Sequence, residues 1–96
     1  MKTATDNTQQ QLAGAAFSIA QQGMQKYFEA HRELRPVSLD ACLEGLRSWT
    51  KIRLPQALAD FKEAHEIGMT QVGVATFVAT MGLAGIEAAK ECSEPK

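Results

Sequence analysis

Residues 67–86 read IGMTQVGVATFVATMGLAGI, and this stretch of twenty residues without a charged side chain decides the fold. β-Branched residues are frequent in it, which leaves a strand as the alternative, but typical strands are only about 3–10 residues long. The sequence Glu87-Ala-Ala-Lys-Glu91 continues the stretch with strong helix formers. The pattern therefore favours a helix from about residue 71 to 91.

A stretch of this length can also cross a bilayer. Four glycines (68, 73, 82 and 85) and several threonines argue against a membrane span. The ends of the stretch also have neither aromatic residues nor an excess of basic residues on one side. We expect no membrane span. The stretch is instead predicted to be a buried helix, which needs neighbours on most of its sides.

Helical spacing of apolar residues predicts three further helices upstream of this stretch. The first runs from about residue 6 to residue 34, before Pro36, because the residue preceding a proline avoids helical angles. The second begins after Ser38, a good N-cap, and breaks at Leu54-Pro55; the third begins at Pro55 and ends near Gly68. We thus predict an all-α domain over 6–92, a four-helix bundle of antiparallel helices or paired hairpins that dimerisation completes, with a disordered N-terminus (1–5) and a flexible tail (93–96).

Charge and cysteine usage limit the classes of function. The formal net charge is −1 with both signs interspersed, so no strong field points to nucleic acid or an anionic membrane. Cys42 lies on an apolar stripe and is predicted to be buried, whereas Cys92, beside a polar tail, is predicted to be an exposed thiol. Their separation fits no metal or redox motif, and this usage is typical of a reducing compartment, so we expect a cytoplasmic protein.

The uncharged helix has more apolar surface than its own chain is expected to cover. Val74, Phe77, Val78 and Met81 form a ridge on one side of it, and leaving them in water would cost several kcal/mol, or roughly 1.5–3 kcal/mol for each large side chain. An exposed patch of this kind usually marks an interaction surface. The first hypothesis is therefore a non-catalytic protein-interaction or assembly module, homo-oligomeric or bound to another protein, with these four residues as the interface.

A second hypothesis is a helical bundle that binds a small hydrophobic ligand. Trp49 or His65 would serve as the polar anchor of the pocket. The candidate lining residues are the large apolar ones of the helices: Met24, Phe28, Phe61, Phe77 and Met81.

No spacing in the sequence indicates a catalytic site, a metal site or a cofactor. His31 and His65 each follow a glutamate by two positions, whereas carboxylate-bridged metal sites in bundles use three. HExxH, GxSxG and P-loop motifs are absent from the sequence. The repeated Glu-Ala-His at 29–31 and 63–65 is compatible with a duplicated hairpin, although only three residues match.

Residues 68–75 carry one local resemblance. Gly68-Met69-Thr70-Gln71 followed by Ala75 resembles the opening of the helix-turn-helix of phage-repressor-type regulators, which implies DNA binding. After Ala75 the pattern departs from that motif, because it has neither the tight turn nor an arginine, lysine or asparagine to reach bases. A DNA-binding regulator is therefore the third hypothesis.

Overall fold

Three long helices and one short two-stranded sheet form the described part of the chain, which in the computed structural model comprises the backbone of residues 4–96 and the side chains from residue 7 onward. The prediction of an all-α fold is confirmed. Of the predicted disordered segment 1–5, residues 1–3 lie outside the described residues, and residues 4 and 5 already belong to the first helix. The elements follow the order α1 (Ala4–Ala30), β1 (Leu34–Pro36), α2 (Leu39–Glu66), α3 (Thr70–Glu91) and β2 (Ser93–Pro95).

The prediction of four helices is wrong, because α2 continues through Pro55. A proline inside a helix loses one backbone hydrogen bond and costs about 3 kcal/mol. The residues on both sides of Pro55 offset this cost, since Leu46 precedes it and Ala57 and Phe61 follow it, all buried in the core. Pro55 itself is on the exposed side of α2.

Both ends of α2 use the residues expected from the sequence. Ser38 Oγ accepts a hydrogen bond from Ala41 N at 3.0 Å and caps the first turn. At the other end Gly68 adopts a φ of 81°, a value that glycine tolerates best. The amides of Gly68 and Met69 donate to the carbonyls of His65 and Ala64, which closes the helix in a Schellman motif and turns the chain into α3.

α3 is the central helix and packs against both of the others. Its inward side contributes Phe77 and Met81, which are completely buried together with Ala16 of α1 and Ala57 of α2. Nearer the C-terminal end, glycines bring the backbones of α1 and α3 into contact: a Cβ on Gly85 would overlap the carbonyl of Ala20. Small residues on facing helices thus allow a close crossing.

A short sheet, here called the terminal clasp, joins the ends of α1 and α3. It consists of Leu34–Pro36 and Ser93–Pro95 in antiparallel register, and Lys96 N also donates to Glu33 O at 3.0 Å. The prediction of a flexible tail over 93–96 is therefore wrong. Because residues 34–36 pair with the tail, α1 ends at Ala30 rather than near residue 34.

The helices form an elongated body with principal extents of 50 × 22 × 15 Å. Its radius of gyration is 14.7 Å, larger than the roughly 12.5 Å of a compact chain of this length. The long axis follows the helices, since 28 residues of α2 span about 42 Å at 1.5 Å per residue. Each helix consequently has one long side in contact with water.

Candidate functional site

The side of α3 that faces away from α1 and α2 is an exposed surface without charge. We call it the outer face and define it by Val72, Ala75, Thr76, Ala79 and Leu83, all of which are exposed. Val72 is 51% exposed and Leu83 is 59% exposed. The nearest charged residues along the chain are Glu66 and Glu87, so the whole face lies within the uncharged stretch.

The structure divides the four predicted interface residues between the two sides of α3. Phe77 and Met81 have no exposed surface, which removes them from the predicted interface and assigns them to the core. Val74 is half-buried, and Val78, 44% exposed, lies beside the outer face. α3 therefore has exposed apolar surface, as expected, but on a different set of residues, and Leu39, Ile52 and Ile67 outside α3 are exposed as well.

The prediction of a ligand pocket is also wrong for most of its lining residues. Phe61, Phe77 and Met81 are fully buried and fill the core instead of lining a cavity. Trp49 is half-buried against both halves of the core, with the Arg53 guanidinium 5.4 Å from its ring centre. Only Met24 and Phe28 of the five predicted lining residues border an open groove.

This groove lies between α1 and the first half of α2, beside the terminal clasp, and has a volume of about 810 Å³. α1 and α2 contact each other less extensively than either contacts α3, which leaves room for the groove between them. The buried side chains of Met24, Cys42 and Leu46 lie at its base, and two cations, Arg32 and Lys96, border it. The other lining residues are Gln21, Gln25, Phe28, Glu29, Pro36, Leu39 and Leu43.

The two histidines lie at the C-terminal ends of two different helices, His31 directly after α1 and His65 in the last turn of α2. His31 Nδ1 is 3.3 Å from Glu33 Oε1. The pKa of Glu33 is lowered mainly by a hydrogen bond between its carboxylate and the backbone, and to a smaller extent by this contact with His31. His65 Nδ1 is 2.9 Å from Thr70 Oγ1 across the α2–α3 turn. The two Glu-Ala-His segments therefore do not meet, and His65 is a turn residue rather than a pocket anchor.

Neither a metal site nor a helix-turn-helix is found among the described residues. Within residues 4–96, no three histidine, cysteine or acidic side chains come together as metal ligands. α3 runs without interruption from Thr70 to Glu91, through the point where the second helix of a helix-turn-helix would begin. The local resemblance at 68–75 thus has no structural counterpart.

α3 has the length and apolar composition of a membrane-spanning helix. Core helices of soluble proteins share these properties, so the match by itself is weak evidence. Seven of the 22 residues of α3 are buried in the core, where the helix faces α1 and α2.

The two cysteines meet at the clasp end of the bundle, although they are fifty positions apart in the sequence. Cys42 Sγ and Cys92 Sγ are 2.7 Å apart, and the residues are 5% and 4% exposed. The prediction of an exposed Cys92 is wrong, because Cys92 O accepts a hydrogen bond from Val37 N and the clasp covers the residue. Burial, and then the hydrogen bond with Cys42, raise the pKa of Cys92 to about 12.

Sequence reasoning missed this cysteine pair and the groove because each depends on contacts across the fold. A weak signal for the pair was the helical register, which places Cys42 on the apolar stripe of α2 and Cys92 one turn after Ala88.

Comparison of the chain with known protein families, characterised proteins and solved structures gives no match.

Proposed function

We propose that this protein is a small non-catalytic interaction module of the cytoplasm that associates with a second copy of itself through the outer face of α3. The observation that supports this most directly is an uncharged helix face with two large apolar side chains, Val72 and Leu83, more than half exposed. What supports the cytoplasmic part of the proposal is that both cysteines are free thiols, as is usual in a reducing compartment.

The free energy of burial favours covering this face. Full burial of a valine or leucine side chain contributes about 1.5–3 kcal/mol, and roughly half of that is still available at Val72 and Leu83. Ala75 and Ala79 add smaller amounts between them. Since a domain of this size is stabilised by only about 5–15 kcal/mol, an exposed patch of this kind is significant.

The shape and charge of the face suit a second copy of the chain. Its two large side chains, Val72 and Leu83, flank the small Ala75 and Ala79, so an antiparallel copy places Leu83 beside Val72 of its partner and brings the two backbones close together at the alanines. A two-fold axis makes each contact between unlike residues occur twice, so the pairing of Leu83 with Val72 forms at both ends of the face. Because the face carries no charge, this arrangement neither desolvates an ion nor brings like charges together.

The expected complex is a weak dimer. One helix face of 22 residues is about 33 Å long and buries less than the roughly 800 Å² per partner of a standard interface. We therefore expect a dissociation constant in the micromolar range or above, set mainly by the contacts of Leu83 with Val72 of the other copy.

Sedimentation equilibrium of the wild type and of Leu83→Glu tests this proposal. The wild type is expected to show a concentration-dependent increase in mass towards a dimer, and Leu83→Glu to remain a monomer with unchanged helicity. Ile52→Glu is the matched control, because Ile52 is 63% exposed on α2 and outside the outer face. A wild type that stays monomeric at all concentrations, or that dimerises equally well as Leu83→Glu, would refute the proposal.

A second candidate function is the binding of an amphiphile with an anionic head group in the groove between α1 and α2. Its volume of about 810 Å³ lies in the range of ligand sites, roughly 300–1,000 Å³. Phe28, Leu39 and Leu43 offer an apolar wall, while Arg32 and Lys96 offer positive charge at the clasp end. A long-chain fatty acid combines the two properties that this lining would recognise.

Titration with a fluorescent long-chain fatty acid tests this candidate. Binding is expected at one molecule per chain, and Arg32→Glu is expected to weaken it about tenfold or more, as for the loss of a charged hydrogen bond. Lys62→Glu is the control with the same change of charge, since Lys62 is exposed and does not line the groove. Saturable binding that is equal in both variants would contradict this location of the head group.

A further inference from the structure

We infer that Cys42 and Cys92 form a site of reversible oxidation, at which an intrachain disulfide closes the clasp end of the α2–α3 hairpin. The inference is independent of the proposed self-association. It rests on two buried sulfur atoms that are 2.7 Å apart in the folded chain.

The fold has already brought these sulfur atoms close together. A disulfide bond is about 2.05 Å long, so the two atoms need to approach by only about 0.7 Å. Cys42 lies in the first turns of α2 and Cys92 directly follows α3, and both belong to the same half of the core. Rotation of the two side chains supplies this movement without a change of the helices.

The position of the Cys42–Cys92 disulfide in the fold explains why it would stabilise the protein. The α2–α3 hairpin is closed at one end by the turn at Gly68, and its other end is open except for hydrogen bonds of the clasp, such as Val37 N to Cys92 O at 2.7 Å. A bond between Cys42 and Cys92 closes a covalent loop over this open end. Such a loop reduces the conformational freedom of the unfolded chain.

The chemistry requires an oxidant, for which a small-molecule disulfide such as oxidised glutathione suffices. One cysteine, as its thiolate, attacks a sulfur of the oxidant, forming a mixed disulfide and releasing one thiolate of the oxidant. The second cysteine thiolate then displaces the remaining half. The chain loses two protons and two electrons, and the oxidant takes up both and is reduced to two thiols.

Access to the sulfur atoms sets the rate of the reaction. Cys42 borders the groove between α1 and α2, and Cys92 borders a smaller cleft of about 380 Å³ between α2 and α3. Because the pKa of Cys92 is raised to about 12, little of its reactive thiolate is present at neutral pH. The oxidant therefore acts slowly on the folded chain and faster when the clasp opens.

Incubation of the reduced wild type with oxidised glutathione tests the inference. A monomer lighter by about 2 Da is expected, the mass of the two hydrogens that disulfide formation removes. Its Tm is expected to rise by roughly 10 °C or more for a loop of this length, and reductant should reverse the change. Arg35→Ala, which removes the 2.9 Å bond from Arg35 to Glu94 across the clasp, should speed up the oxidation.

Cys42→Ala and Cys92→Ala are the matched controls, and each is expected to show the same Tm with and without the oxidant. The mass and the Tm of the wild type, with and without the oxidant, test the inference even if a variant does not fold. The inference is wrong if the wild type accumulates glutathione adducts, forms disulfide-linked dimers, stays fully reduced, or forms the intrachain bond with no gain in Tm.

Discussion

The inner and outer faces of α3 both combine small residues with large apolar ones and carry no charge, but within the described part of the chain only the inner face is covered by other helices. Inside, Phe77 and Met81 are fully buried against alanines of α1 and α2. Outside, Val72 and Leu83 remain more than half exposed. The difference shows that an uncharged composition does not say which side of α3 becomes the core, because the positions of α1 and α2 decide this.

The largest difference between the faces should appear when one large side chain of each is shortened. Phe77→Ala is expected to lower the free energy of unfolding by about 3–5 kcal/mol, because it opens a cavity in the core. Leu83→Ala on the outer face should change it by less than about 0.5 kcal/mol. Urea denaturation of the two variants at a concentration where the protein is monomeric measures both values, and equal losses would contradict the division into faces.

Two neighbouring glycines provide the next test. A Cβ at Gly85 would overlap the carbonyl of Ala20, whereas a Cβ at Gly82 meets no atom within 4 Å. We expect Gly85→Ala to destabilise the protein by about 1–3 kcal/mol through overpacking. Gly82→Ala should stabilise it by up to about 1 kcal/mol, the difference in helix propensity. Thermal denaturation of both variants should give shifts of Tm in opposite directions; shifts of the same sign would show that the helices approach one another differently.

Alkaline pH should also distinguish the faces, because the end of the inner face carries the buried thiol of Cys92 and the outer face has no titratable group. The pKa of Cys92 is raised from 9.0 to about 12 in the folded chain. The protonated Cys92 thiol thus makes its full contribution to the free energy of unfolding below pH 9. This contribution is lost as the pH rises towards 12, because the unfolded chain releases the proton at a lower pH than the folded chain.

The slope of this loss is at most about 1.4 kcal/mol per pH unit. Urea denaturation of the reduced wild type and of Cys92→Ala over this range isolates the thiol from the lysines that titrate there. The advantage of the wild type should shrink as pH rises, and parallel profiles would argue against a protonated buried thiol.

The smallest effect on folding is expected at Val72. Val72→Thr keeps the shape of an exposed side chain, so its effect on the free energy of unfolding should stay within about 0.5 kcal/mol. The hydroxyl nevertheless makes burial less favourable, and dimerisation should weaken measurably in sedimentation experiments. An unchanged dimer would place the contact elsewhere on α3.

Local rules predicted the elements of this fold well where tertiary contacts agree with them. Ser38 and Gly68 mark the ends of α2 as their chemistry requires. Pro55 misled the prediction, because a proline usually begins a helix, and only the shared burial of Leu46, Ala57 and Phe61 keeps α2 continuous. The terminal clasp gave no signal, since three-residue strands are too short to show an alternating pattern.

The candidate surfaces were predictable only in outline. The excess of apolar residues predicted exposed apolar surface on α3, where Val72 and Leu83 are indeed exposed, but helical periodicity does not say which side the neighbours take. Phe77 and Met81 were therefore assigned to the wrong side. The contact between Cys42 and Cys92 and the groove beside it join residues that are far apart in sequence, so only the folded chain reveals them.

The elongated outline of the helices, 50 Å long and 15 Å thin, affects how the protein moves through a column. A rod-shaped monomer has a larger hydrodynamic radius than a sphere of equal mass and elutes early in gel filtration, where calibration against globular standards assigns it a mass that is too high. The elution volume of a monomer of this chain would thus lie between those of a globular monomer and a globular dimer, while light scattering or sedimentation, which report mass directly, would give the correct state.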